Sequence, residues 1–98
     1  MEISYQIYER GTDVLLAACD KELLGKKFEE EDIQLDVSES FYGGDECNSD
    51  MICDKIKRSN VVNLVGENII YAVIDAGFGD ENDVLWIDGV PHLQLVMI

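Results

Sequence analysis

The chain has 98 residues, 47% of them hydrophobic, and sets seven Lys and Arg against 21 Asp and Glu for a formal net charge of −14. Those figures describe one globular domain, residues 1–98, with enough apolar mass to fold without a metal or disulfide staple, and they exclude wholesale disorder. No apolar run approaches the roughly 18 residues of a membrane span, no secretory leader is expected, and the charge suits neither duplex DNA nor an anionic bilayer.

In chain order, Ile3, Tyr5 and Ile7 alternate with Ser4 and Gln6, the period of a strand with one buried face. Val14 to Cys19 is apolar on both faces and reads as a central strand. Asp20 to Gly25 has room for one helical turn, with Asp20 as its N-cap and Gly25 as its stop. Glu29 to Asp32 is too acidic to bury, and a second alternation of Ile33, Leu35 and Val37 follows it. Ser38 to Glu46 reads as a loop carrying Phe41, Tyr42, Gly43 and Gly44.

Ser49 is the expected N-cap of a first helix. Ile52 and Ile56 give its apolar stripe, which the pattern extends through Val61 to Val65 as far as Gly66. Asp50 near the start and Lys55, Lys57 and Arg58 further on follow the helix dipole. A second helix runs from about Glu67 to Ala76 with Ile69, Ile70, Val73 and Ile74 inward, and Gly77 supplies its left-handed cap. Val84 to Ile87, Asp88-Gly89 and His92 to Ile98 form a closing hairpin with a primed turn, and Pro91 belongs at a strand start or on an edge. Grouped strands and grouped helices predict a two-layer α+β fold: about five mostly antiparallel strands with two helices on one face.

Charge is unevenly spread. Glu29 to Asp54 holds ten acidic residues and no Lys or Arg, and Ser59 to Ile98 again holds no Lys or Arg. The bases sit mainly at Lys26-Lys27 and Lys55-Lys57-Arg58. A solvated acidic surface accounts for most of this, and docking onto a basic partner is the sharper reading. The odd count of Cys19, Cys47 and Cys53 points to a reducing compartment with free thiols, and their spacing is not that of a zinc knuckle. No metal or cofactor is expected.

Few residues are candidates for chemistry. His92 could serve as a general base, or it could be a structural strand histidine; the surrounding acids are expected to raise its pKa above the ordinary ~6.5. Tyr42-Gly43-Gly44 could present backbone N–H groups to an anion, yet no Gly-Lys-Ser/Thr follows and Asp45 and Glu46 place negative charge there. A loop anchored by its aromatics explains the same string. Cys19 lacks a basic partner that would lower its pKa.

Four strings taken together are similar to one family: Cys19 to Lys26 (CDKELLGK), Ser38 to Gly44 (SESFYGG), Asn63 to Gly66 (NLVG) and Gly89 to Gln94 (GVPHLQ). Their order and spacing resemble the small archaeal proteins grouped as domain of unknown function 424, over nearly the whole chain. Leu93 stands where the family's last string typically has Ala, and Cys53 lies in a helix that is usually charge-rich. The resemblance implies an archaeal, cytoplasmic origin and a compact α+β fold, assigns no reaction, and marks Tyr42, Gly43, Gly44, Asn63, Gly66 and His92 as motif positions.

These readings lead to an acidic cytoplasmic interaction or accessory module without its own catalysis, associated with a protein or ribonucleoprotein partner and, from the family's archaeal restriction and small size, with translation. The alternative is a small enzyme or ligand-binding domain with a pocket lined by Tyr42, Gly43, Gly44, Lys26 and His92, and Asn63 is a further ligand- or partner-binding candidate. RNA binding is a third reading, requiring both basic clusters on one face.

Overall fold

The computed structural model describes residues 2–97. Met1 and Ile98, at the outer ends of the first and last expected strands, lie outside them. The chain begins with the antiparallel pair β1 (Ile3–Arg10) and β2 (Asp13–Asp20), registered from Ile3 opposite Asp20 to Arg10 opposite Asp13. A 3-10 turn, Lys21–Leu23, leads into a separate hairpin of β3 (Lys27–Glu30) and β4 (Ile33–Asp36). Then come the short helix α1 (Glu39–Tyr42), β5 (Asp45–Cys47), α2 (Ser49–Lys57), β6 (Val61–Val65) and α3 (Glu67–Asp75). After a second 3-10 turn, Glu81–Asp83, β7 (Leu85–Ile87) and β8 (Val90–Val96) close the domain as a hairpin.

Six strands form one sheet in the order β5-β1-β2-β6-β8-β7. All neighbours are antiparallel except β2 and β6, which run parallel through a crossover from Asp20 to Val61. The α+β class is as expected, but eight strands replace about five and the layering differs. On one face, α2 and α3 enclose Ile3, Leu16, Ala18, Val62, Leu64 and Leu93 together with Ile52, Ile56, Ile69 and Val73. The opposite face is covered too: Leu35 and Val37 of the hairpin region and Tyr42 of α1 pack on Ala17, Cys19, Val65 and Ile87. The fold therefore has three layers. Each fully buried Leu, Ile or Val contributes about 1.5–3 kcal/mol.

The largest correction concerns 61–65, expected as helix and found as a central strand. α2 stops at Lys57, where the Ser59 hydroxyl donates to the Lys55 carbonyl at 2.8 Å. Asn60 then fixes the strand start: its N–H donates to the Val14 carbonyl and its side-chain oxygen accepts from the Val14 N–H, both at 2.7 Å. Its own carbonyl accepts from Met97 at 2.7 Å, so one residue ties together the starts of β2 and β6 and the end of β8. Three β-branched residues in Val61-Val62-Asn63-Leu64-Val65 then suit the pleated, doubly covered position.

Both longer helices start on carboxylates from elsewhere in the chain, Glu2 just before β1 and Asp20 at the end of β2. Asn48, not Ser49, occupies the N-cap of α2 and makes no side-chain cap bond; Glu2 instead accepts from the Ser49 N–H at 2.8 Å. Asp20 occupies the N-cap position of the 3-10 turn without capping it. Its carboxylate turns to α3 and accepts from the N–H groups of Asn68 and Ile69 at 3.0 and 2.9 Å. Gly66, the N-cap residue of α3, has φ of 118°, and a Cβ there would collide with the Asp20 side chain. Only glycine meets both demands. At the other end, Gly77 N–H donates to Ile74 and Phe78 N–H to Val73, the Schellman closure expected from the sequence.

Candidate functional site

The motif residues occupy the hairpin-covered side of the sheet and its margin. Ser4, Cys19, Val65, His92 and Leu85 lie opposite one another in a row across five strands, and Asn63 lies in the neighbouring row between Ala17 and Gln94. Tyr42 packs on the same face and is 5% exposed; its carbonyl accepts from the Ser4 hydroxyl at 2.9 Å. Burial, with the nearby Cys19 and Asp36 groups, pushes its phenol up to about 12. Tyr8 stacks on Phe41 with centroids 5.4 Å apart, its hydroxyl donating to the Phe41 carbonyl at 2.8 Å. The aromatics therefore anchor α1 to the sheet, as the structural reading of this string expected. Gly43 and Gly44 join α1 to β5, and exposed Lys26 stands at the base of the hairpin, its carbonyl accepting from Val37.

These six candidates share a side of the molecule but not a cavity. Neither cavity described below is lined by Tyr42, Gly43, Gly44, Lys26, Asn63 or His92. His92 is half-buried, and its ring makes no side-chain hydrogen bond among the described residues. Burial lowers its pKa below the ordinary value, reversing the expectation drawn from the net charge. The acids are many, but exposed ones act across high-dielectric solvent, whereas desolvation acts directly on the ring. Cys19 is fully buried, and burial followed by the Asp20 charge pushes its thiol up to about 12. Cys47 and Cys53 are also free thiols raised first by burial. Among the described residues, no group of three or more His, Cys, Asp or Glu side chains is placed to hold a metal ion, and no helix is long and apolar enough to cross a membrane.

The two basic clusters lie in different layers: Lys26 and Lys27 belong to the hairpin side, whereas Lys55, Lys57 and Arg58 end α2 on the opposite side. Lys55 already lies over the Tyr5 ring, 4.6 Å from its centroid, and Lys21 pairs with Glu46 at 3.0 Å. A small cavity of about 400 Å³ between the end of β2, the first 3-10 turn and the start of α3 is lined by Glu2, Asp20, Lys21, Glu22 and Asn68. Burial raises Asp20 there, against the opposing pull of its two backbone N–H donors.

A larger, open groove of about 1070 Å³ follows α3 on the helical side. Its carboxylates are Glu2, Asp50, Glu67, Asp75 and Glu81, and no Lys or Arg lines it. Tyr71, 74% exposed, and Trp86, 52% exposed, also line it. Sequence reasoning singled out neither aromatic. The available signal was Tyr71's place opposite the inward stripe of Ile69, Ile70, Val73 and Ile74, together with an isolated Trp on a strand edge.

The fold and these surfaces define a small acidic α+β protein in which Cys19, Asp20 and Tyr42 are buried while an aromatic, carboxylate-lined groove is open. The chain belongs to the family described as protein of unknown function (DUF424), which matches residues 8–98. It is similar to the crystal structure of an uncharacterized conserved protein from Methanopyrus kandleri, with a TM-score of 0.80 and 31% identity over 95% of this chain and 89% of that one. No curated protein matches the chain.

Proposed function

We propose that this protein is a non-catalytic interaction module, an acidic accessory subunit that docks onto a protein or ribonucleoprotein assembly. The carrying observation is the division of the surface. Tyr42, Cys19 and Cys47 are buried, while the open groove along α3 presents aromatics and acids. A buried thiol or phenol whose raised pKa keeps it protonated at neutral pH is a poor nucleophile, whereas exposed aromatic area ringed by one sign of charge suits association. A role in the archaeal cytoplasm at the translation apparatus agrees with the archaeal source of the similar structure and with the small size of the chain. The pocket reading is not proposed, because its five residues do not line a common cavity.

The test is a tagged pull-down from archaeal lysate at low salt, with quantitative mass spectrometry of the bound fraction. One partner recovered near stoichiometry is the expected result. Nothing above background, with the bait shown to be folded, overturns the proposal.

A further inference from the structure

The geometry points to the groove along α3 as the docking site for an arginine-rich, extended segment of a basic protein; this rests on the module reading and names its surface and its occupant. Three features converge there.

First, Glu2, Asp50, Glu67, Asp75 and Glu81 approach from the chain start, α2, α3 and the loop before β7, and no basic side chain neutralises them within the groove. Glu2 already accepts from the Ser49 N–H, so Asp50, Glu67, Asp75 and Glu81 are the groove carboxylates left for a partner. Second, α3 ends against its own dipole. Its last turn carries Asp75 and no basic residue, so a carboxylate sits at the partially negative end of the helix, and both face the groove. A sequence optimised for the isolated helix puts Lys or Arg there, and local rules are broken where function requires it. Third, Tyr71 and Trp86 offer exposed aromatic faces in the same groove.

A guanidinium fits all three. It stacks on aromatic faces, forms forked bonds to carboxylates, is more weakly hydrated than an ammonium, and offsets the charge at the α3 terminus. Nucleic acid does not fit, since the same carboxylates repel phosphate. An extended segment suits an open groove beside a helix. The net charge of −14 adds long-range attraction for a cationic partner.

The full chain can be titrated with a short synthetic peptide of alternating arginine and glycine. The fluorescence of Trp86 is a direct readout, because the protein has one Trp. We expect a saturable change in Trp86 emission that weakens with added salt and is lost when citrulline replaces arginine. The triple variant Glu67→Gln, Asp75→Asn, Glu81→Gln should lose about tenfold in affinity, the equivalent of one or two removed charge-assisted contacts. An equal charge change on the hairpin, Glu29→Gln, Glu31→Gln, Asp32→Asn, should cost under about threefold, as a screened long-range term does. Tyr71→Ala, at a largely exposed position whose removal leaves the core intact, should weaken the peptide about threefold or more through lost stacking.

Equal losses in the two triple variants, binding of the citrulline peptide as tight as that of the arginine peptide, or an unchanged Trp86 signal at saturation each overturn the inference. A lysate partner captured equally by the wild type and the groove variant overturns the groove while the module reading stands. Groove-dependent peptide binding without any lysate partner has the opposite meaning.

Discussion

Asp20 and Gly66 occupy one another's space: the carboxylate that caps α3 lies where any side chain at Gly66 would have to go. The end of β2 and the start of α3 are thereby fixed to each other, although 46 positions separate the two residues in the chain. Asp20→Ala removes two charge-assisted bonds from a buried site and should cost about 1–3 kcal/mol. Gly66→Ala adds both strain at positive φ and a collision, and should cost at least about 1 kcal/mol. The double variant should be less destabilised than the sum of the singles, because deleting the carboxylate makes room for the new methyl group. Urea midpoints of the four proteins measure this, and strict additivity contradicts the described contact.

Gly77→Ala tests the other end of α3. Its φ of 87° disfavours a side chain although space is open, so the cost should be conformational, about 1 kcal/mol. An unchanged melting temperature contradicts the Schellman closure.

His92 should titrate below the ~6.5 of a free histidine, since burial opposes its charged form. In the unfolded chain it takes up a proton at higher pH than in the native protein. Between those two pKa values the unfolded state binds more protons, so stability should decline as pH falls below about 6.5 and level off beneath the folded value. NMR titration of the single imidazole resolves its share from that of the carboxylates, and a value above 6.5 contradicts the described burial.

Cysteine labelling should be ordered by exposure. Half-buried Cys53 reacts first, Cys47 more slowly, and Cys19, fully buried and pushed up to about 12, reacts only when the chain opens. Mass spectrometry of a timed alkylation with and without urea reads this order. Early labelling of Cys19 in native conditions contradicts the doubly covered β2.

Much of this architecture is legible in the sequence wherever one local signal suffices. Val14 to Cys19 looks like a central strand because it is apolar on both faces, and Asp88-Gly89 looks like a primed turn because both residues tolerate positive φ, observed at 50° and 78°. Where the deciding interaction lies far away in the chain, local reasoning fails. Asn60 starts β6 through Val14, and Glu2 and Asp20 cap α2 and α3 from elsewhere in the chain. A helical reading of 61–65 follows naturally when Ser59-Asn60 offers no Gly or Pro as a break. The candidate site was less legible still. His92, Tyr42 and the glycines stand out by residue type, yet Tyr42 is buried and the set lines no common cavity, whereas the groove depends on Trp86 and α3 meeting in space.

The single parallel pairing of β2 with β6 divides the sheet into two antiparallel halves, β5-β1-β2 and β6-β8-β7. Within each half, one strand pair is a local hairpin, β1–β2 or β7–β8, that can zip rapidly after a short turn. Their union instead requires closing the Asp20–Val61 crossover, an entropic penalty of about 3 kcal/mol for a loop of roughly forty residues. The seam is thus expected to be a slow step together with the equally distant β1–β5 pairing, and truncation of Leu16, Ala18, Val62 or Leu64, buried across the seam, should slow refolding rather than hasten unfolding.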